Sequence, residues 1–201
     1  DMLYVLTPDK IYQYSLENPE EPQYKNFYYS YTNKSDMQFY SKDGKDYMIV
    51  LDYTTSSADN KKVGRLGYYD LAADMGYLDK DNIKRGNQPS FNHYLNKSDT
   101  AESTTDKGWV ITAFCIKGDY LYTVSYDQWN KYDGSYLNVY SLKDGDETHP
   151  LGDEIPEASR NINYIAKDGT AYKPNCLRIL VADSAIVLGD QSITVGNAGA
   201  Y

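Results

Sequence analysis

Gly118-Asp-Tyr-Leu-Tyr-Thr-Val-Ser125, followed after a polar connection by Tyr136-Leu-Asn-Val-Tyr-Ser-Leu142 and Lys-Asp-Gly145, is the stretch that decides the fold. Two short runs rich in Tyr, Val and Leu, bounded by Gly, Asp and Asn, have the length and composition of strands rather than helices. The second run tends toward alternation, so one of its faces is wetter. Asp-Gly recurs at Asp43-Gly44, Asp133-Gly134, Asp144-Gly145 and Asp168-Gly169, three of them after Lys. Gly accepts positive φ without a Cβ clash and Asp tolerates the left-handed region, so each pair predicts a tight turn.

The same two-run pattern recurs along the chain. A first copy is Met2-Leu-Tyr-Val-Leu-Thr7 with Ile11-Tyr-Gln-Tyr-Ser-Leu16, and a second is Asp46-Tyr-Met-Ile-Val-Leu-Asp52 with Arg65-Leu-Gly-Tyr-Tyr-Asp-Leu71. The fourth is Gly169-Thr-Ala-Tyr172 with Cys176-Leu-Arg-Ile-Leu-Val-Ala-Asp183. In the leading run, as in Tyr-Met-Ile-Val-Leu, apolar residues are nearly continuous, which a strand covered on both faces requires. A small twisted sheet cannot bury both faces alone, so such units stack and share a core. The expectation is an all-β, β-propeller-like chain with four recognisable blade units. Their second strands begin near residues 11, 65, 137 and 177, an irregular spacing that fits either a decorated small propeller or a piece of a larger one. The whole of 1–201 reads as a single domain with a long polar insertion at about 76–108, taken as a surface loop.

Composition excludes several classes. The 201 residues include 23 Tyr, 4 Phe and 2 Trp, and so many aromatics argue against disorder. Tyrosine suits stacked sheets because its ring fills the inter-sheet space while its hydroxyl reaches water or a backbone partner. Tyr47, Tyr68, Tyr69, Tyr120, Tyr122, Tyr136 and Tyr140 fall within the repeated pairs and are expected to pack them together. The net charge of -9 and four scattered arginines oppose nucleic-acid binding and anionic membranes. No run reaches the roughly 20 apolar residues of a membrane-spanning helix. A start at Asp1 without a signal-like stretch reads as a processed mature form or an excised segment. Cys115 and Cys176, in apolar runs 61 residues apart, fit no metal motif. They read as buried free thiols, with a disulfide as the alternative.

The third copy, with its strand pair and the exit His149-Pro150-Leu-Gly152, resembles the LVIVD-type β-propeller repeat; the first copy carries a similar exit at Asn18-Pro19 and Pro22. The family's second strand ends in Asp, a position held here by Ser15, Asp70 and Ser141. The resemblance implies a propeller fold, and Tyr-, Asn- and Asp-rich chains of this kind resemble lipid-anchored envelope proteins of Bacteroidetes-type bacteria. The implied location is extracellular or at the cell surface.

The connection inside the third copy, Tyr126-Asp-Gln-Trp-Asn-Lys-Tyr-Asp-Gly134, has the composition of a sugar-binding platform. Aromatic faces of Tyr126, Trp129 and Tyr132 would stack on a sugar ring, while Asp127, Asn130 and Asp133 would bond to hydroxyls. The competing reading is a well-ordered hairpin loop with Trp129 folded over a neighbouring sheet edge. No cofactor is expected. A structural Ca²⁺ is the alternative use of Asp127, Asn130 and Asp133, or of Asp79, Asp81 and Asn82, although neither stretch has EF-hand spacing. Six carboxylates from Asp144 to Glu157 read as a solvated loop, with a basic partner as the alternative. His93 and His149 are the only histidines, and no nucleophile elbow, zinc-protease helix or phosphate loop occurs. The expected function is therefore a secreted or cell-surface binding or scaffold protein that recognises a protein or glycan through rim loops. The alternatives are a glycan-acting hydrolase and a structural subunit of a surface complex.

Overall fold

The computed structural model describes residues 1–29, 34–55, 62–72, 76–78, 84–87, 91–93, 109–127, 134–143, 157–172, 174 and 176–190. Among these the secondary structure is strand throughout, with no helix. In chain order the strands are β1 (Met2–Leu6), β2 (Lys10–Ser15), β3 (Gln23–Tyr29), β4 (Lys34–Lys42), β5 (Lys45–Thr55), β6 (Lys62–Asp70), β7 (Gly76–Leu78), β8 (Lys84–Asn87), β9 (Phe91–His93), β10 (Trp109–Lys117), β11 (Tyr120–Asp127), β12 (Ser135–Ser141), β13 (Ala158–Asn161), β14 (Tyr164–Ile165), β15 (Ala171–Tyr172), β16 (Cys176–Val181) and β17 (Ile186–Asp190). They group into two compact units, Asp1–Thr54 with Arg65–His93, and Thr55–Gly64 with Tyr94–Tyr201.

The first unit holds two sheets, ordered β1-β2-β3-β8-β7 and β4-β5-β6-β9. β1, β2 and β3 run antiparallel in sequence, and β8 joins β3 in parallel. The turn from β4 to β5 is the two-residue Asp43-Gly44, with φ of 52° and 76°, between the paired Lys42 and Lys45. Positive φ at both central residues is the type I′ condition that matches strand twist, as the Asp-Gly signal predicts. The sheets share a core of Ile11, Tyr28, Met48, Val50 and Tyr69, flanked by Tyr4, Leu6, Met37 and Leu71. Full burial of each large side chain is worth about 1.5–3 kcal/mol. Tyr28 and Tyr69 meet edge to face at 5.5 Å, the arrangement the ring quadrupole favours.

In the second unit, β10-β11-β12-β13 form a four-stranded antiparallel meander, accompanied by the hairpins β14-β15 and β16-β17. A bulge between Ile111 and Ala113 interrupts the β10 register. The buried Thr112 hydroxyl there donates to the Cys176 carbonyl at 2.5 Å, tying β10 to β16. The Lys117 ammonium at the end of β10 and the Asp183 carboxylate in the β16-β17 turn form an ion pair at the surface. In the β14-β15 turn, the Thr170 backbone N–H donates to Asp168 at 2.9 Å and, with the Thr170 side chain, holds that carboxyl below its ordinary range.

Three expectations change on this frame. The two runs of the fourth copy are not partners: Ala171–Tyr172 pairs with β14 and Cys176–Val181 with β17. The segment 76–108 is not loop throughout, because β7, β8 and β9 lie in it and complete the two sheets of the first unit. Of the seven tyrosines placed at sheet contacts, Tyr47, Tyr68, Tyr69 and Tyr140 are buried, Tyr122 and Tyr136 are half-buried, and Tyr120 is exposed. Tyr120 follows the Gly118-Asp119 turn directly, at the end of the sheet beside two exposed turn residues.

Candidate functional site

β11 and β12 position the aromatic connection. Their register pairs Tyr126 with Ser135, and Asp127 is paired with Trp109 of β10 on the other side. Tyr126 and Asp127 are thus the last two residues of a strand in the middle of the meander. Trp129, Asn130, Tyr132 and Asp133 lie outside the described residues, as do the side chains of Tyr126 and Asp127 and the alternative cation ligands Asp79, Asp81 and Asn82.

The exit of the connection is built in detail. Gly134 is buried at φ 121°, a conformation L side chains rarely adopt, and the Asn163 carboxamide occupies the space a Cβ would need. Asn163 Oδ1 accepts from the backbone N–H of Ser135 at 3.0 Å. The buried Ser135 hydroxyl donates to the Pro174 carbonyl, and Ser135 O accepts from the Ile162 N–H at 2.9 Å. Asn163 is itself set by its own N–H, which donates to Asn161 Oδ1 at 2.8 Å. The start of β12 is therefore clasped by the β13-β14 link and by the residues before β16. Every polar group named has a partner, so the clasp is fixed rather than adaptable.

Sequence reasoning located the connection but not this clasp. The signal available was the alternation Asn161-Ile162-Asn163, since Asn side chains readily bond to nearby backbone. Its target, 28 residues upstream, is set by tertiary packing. Cys115 and Cys176 are both free thiols, Cys115 half-buried and Cys176 buried. Among the described residues, no group of three His, Cys, Asp or Glu side chains could hold a metal ion, and no helix is long and apolar enough to cross a membrane. No family model matches the chain, and no curated protein or solved structure matches it.

Proposed function

We propose that this chain is a binding or scaffold protein of the cell surface or extracellular space, built from blade-like sheets in the manner of a β-propeller. Its recognition surface is the 126–133 connection, and its ligand is a glycan or a protein. The meanders β10-β11-β12-β13 and β1-β2-β3, and the core that the two sheets of the first unit share, support the blade-like reading. The observation that carries the functional reading is the clasp at Gly134, Ser135 and Asn163. It anchors the exit of a connection rich in aromatic, amide and carboxylate residues, and recognition residues on loops need such rigid support.

The test is a glycan array and a pull-down with the full chain, beside Trp129→Ala and Asp127→Ala. Binding that both substitutions abolish, with the circular dichroism unchanged, supports the reading. Binding that survives both sinks it.

A further inference from the structure

Across β1, β2 and β3 the first sheet is apolar on both faces, and among the described residues only one of these faces joins the core shared with the second sheet. Register sorts its side chains. Tyr4, Leu6, Ile11 and Tyr28 point to the shared core. The opposite face carries two cross-strand rows: Leu3, Tyr14 and Tyr24, then Val5, Tyr12 and Phe27. A bulge in β3 between the rows keeps Tyr24 and Phe27 on this same face. Leu3, Val5 and Tyr24 are exposed at 39%, 38% and 55%, and the other three are half-buried. The rows are ordered: Tyr14 and Tyr24 meet edge to face at 5.9 Å, and the Lys10 ammonium sits 4.9 Å from the Phe27 ring centre.

We propose that this face is a self-association surface, on which a second copy of the chain packs sheet against sheet about a two-fold axis running across the strands. Charge selects the occupant and the axis. Beyond the Val5 row lies Lys10, next to an Asp9 whose carboxylate already accepts from Thr7 at 2.9 Å. Beyond the Leu3 row, the β2-β3 connection holds the exposed Glu17, Glu20 and Glu21. The exposed Lys25 marks the bulge between them. A two-fold across the strands reverses their direction, so Lys10 of each copy meets the other copy's carboxylates. It also lays the Leu3 row over the Val5 row, apolar on apolar. A two-fold along the strands would set Lys10 against Lys10.

Size sets the strength. Counting about 200 Å² for a fully exposed large side chain, the six residues present roughly 400 Å² per copy. A stable interface takes about 800 Å² per partner, so the apolar rows supply about half and the charged rim the rest. The dimer is therefore weak and concentration-dependent, and it forms against the mutual repulsion of two chains of net charge -9.

Sedimentation equilibrium of the full chain at physiological salt is the test. The expected result is a reversible dimer at high micromolar concentration, weakened at least about tenfold by Val5→Lys or Tyr24→Glu, both at exposed positions. Lys10→Glu should also weaken it, and adding Glu17→Lys, Glu20→Lys and Glu21→Lys in the same chain should restore it. A chain that stays monomeric at the highest soluble concentration overturns the proposal, including one that binds a glycan or foreign protein through this face. So does a dimer indifferent to Val5→Lys and Tyr24→Glu. Failure of the charge reversal to rescue Lys10→Glu overturns the assigned axis.

Discussion

Gly134→Ala should damage the protein well beyond what one added methyl group suggests. The backbone there holds φ at 121°, and a Cβ would lie 2.0 Å from Asn163 Nδ2 and 2.3 Å from Oδ1. Either the backbone leaves that conformation or the carboxamide moves. Strain of this kind costs about 1–3 kcal/mol. Moving the carboxamide removes the acceptor from the N–H of Ser135, a residue only 1% exposed, for about 1–3 kcal/mol more. The expected loss is about 2–6 kcal/mol, read as a lower urea midpoint at unchanged slope. Asn163→Ala alone should cost about 1–3 kcal/mol. The double variant should cost less than the sum, because the shortened side chain makes room for the new methyl while the backbone strain remains. A Gly134→Ala protein within about 0.5 kcal/mol of the parent, or strictly additive behaviour, would refute the clasp.

Other expected outcomes follow from single contacts. Thr112→Val removes a buried hydroxyl donor from the Cys176 carbonyl, and should cost about 0.5–1.5 kcal/mol while speeding amide exchange along β16; unchanged exchange there would mean that the bond does not tie the strands. Ile11→Ala empties part of the core shared by the first unit's sheets and should cost about 2–5 kcal/mol by urea unfolding, against a surface-like loss if that core is loosely packed. Burial, followed by the neighbouring Tyr40, raises the Tyr68 phenol well above its ordinary 10.0. Stability is thus complete below the unfolded value near 10.0 and is lost as pH rises toward the folded one, because only the unfolded chain ionises in that window. Tyr68→Phe should flatten that alkaline loss, and an equally steep decline in the variant would refute it.

The sequence signals that survived were those with a local cause. Asp43-Gly44 makes its turn because two residues alone decide its dihedral angles. The runs at Asp46–Asp52 and Gly118–Ser125 are long enough to reveal a strand covered on both sides, and both contain fully buried positions such as Leu51 and Leu121. Ala171–Tyr172 and Cys176–Val181 look like a hairpin because a short turn-like stretch separates them. That stretch includes Pro174, whose carbonyl is committed to Ser135, and each run finds its partner elsewhere. Lys84–Asn87 and Phe91–His93 are too short to show any period, and their place is set by the edges of β3 and β6. At the candidate site, the aromatic composition of the connection could be read directly. The Asn163 cap could not, since which amide an Asn side chain serves is a property of the assembled sheet.

The two free cysteines give the second unit a built-in reporter of its own breathing. Cys176 is buried in β16, where its carbonyl accepts the Thr112 bond, whereas Cys115 on β10 is partly open to solvent. A thiol reagent should therefore label the chain in two phases. The fast phase belongs to Cys115. The slow phase waits for β16 to part from β10, so its rate reads the free energy of that local opening in the intact protein, without denaturant and without an engineered cysteine.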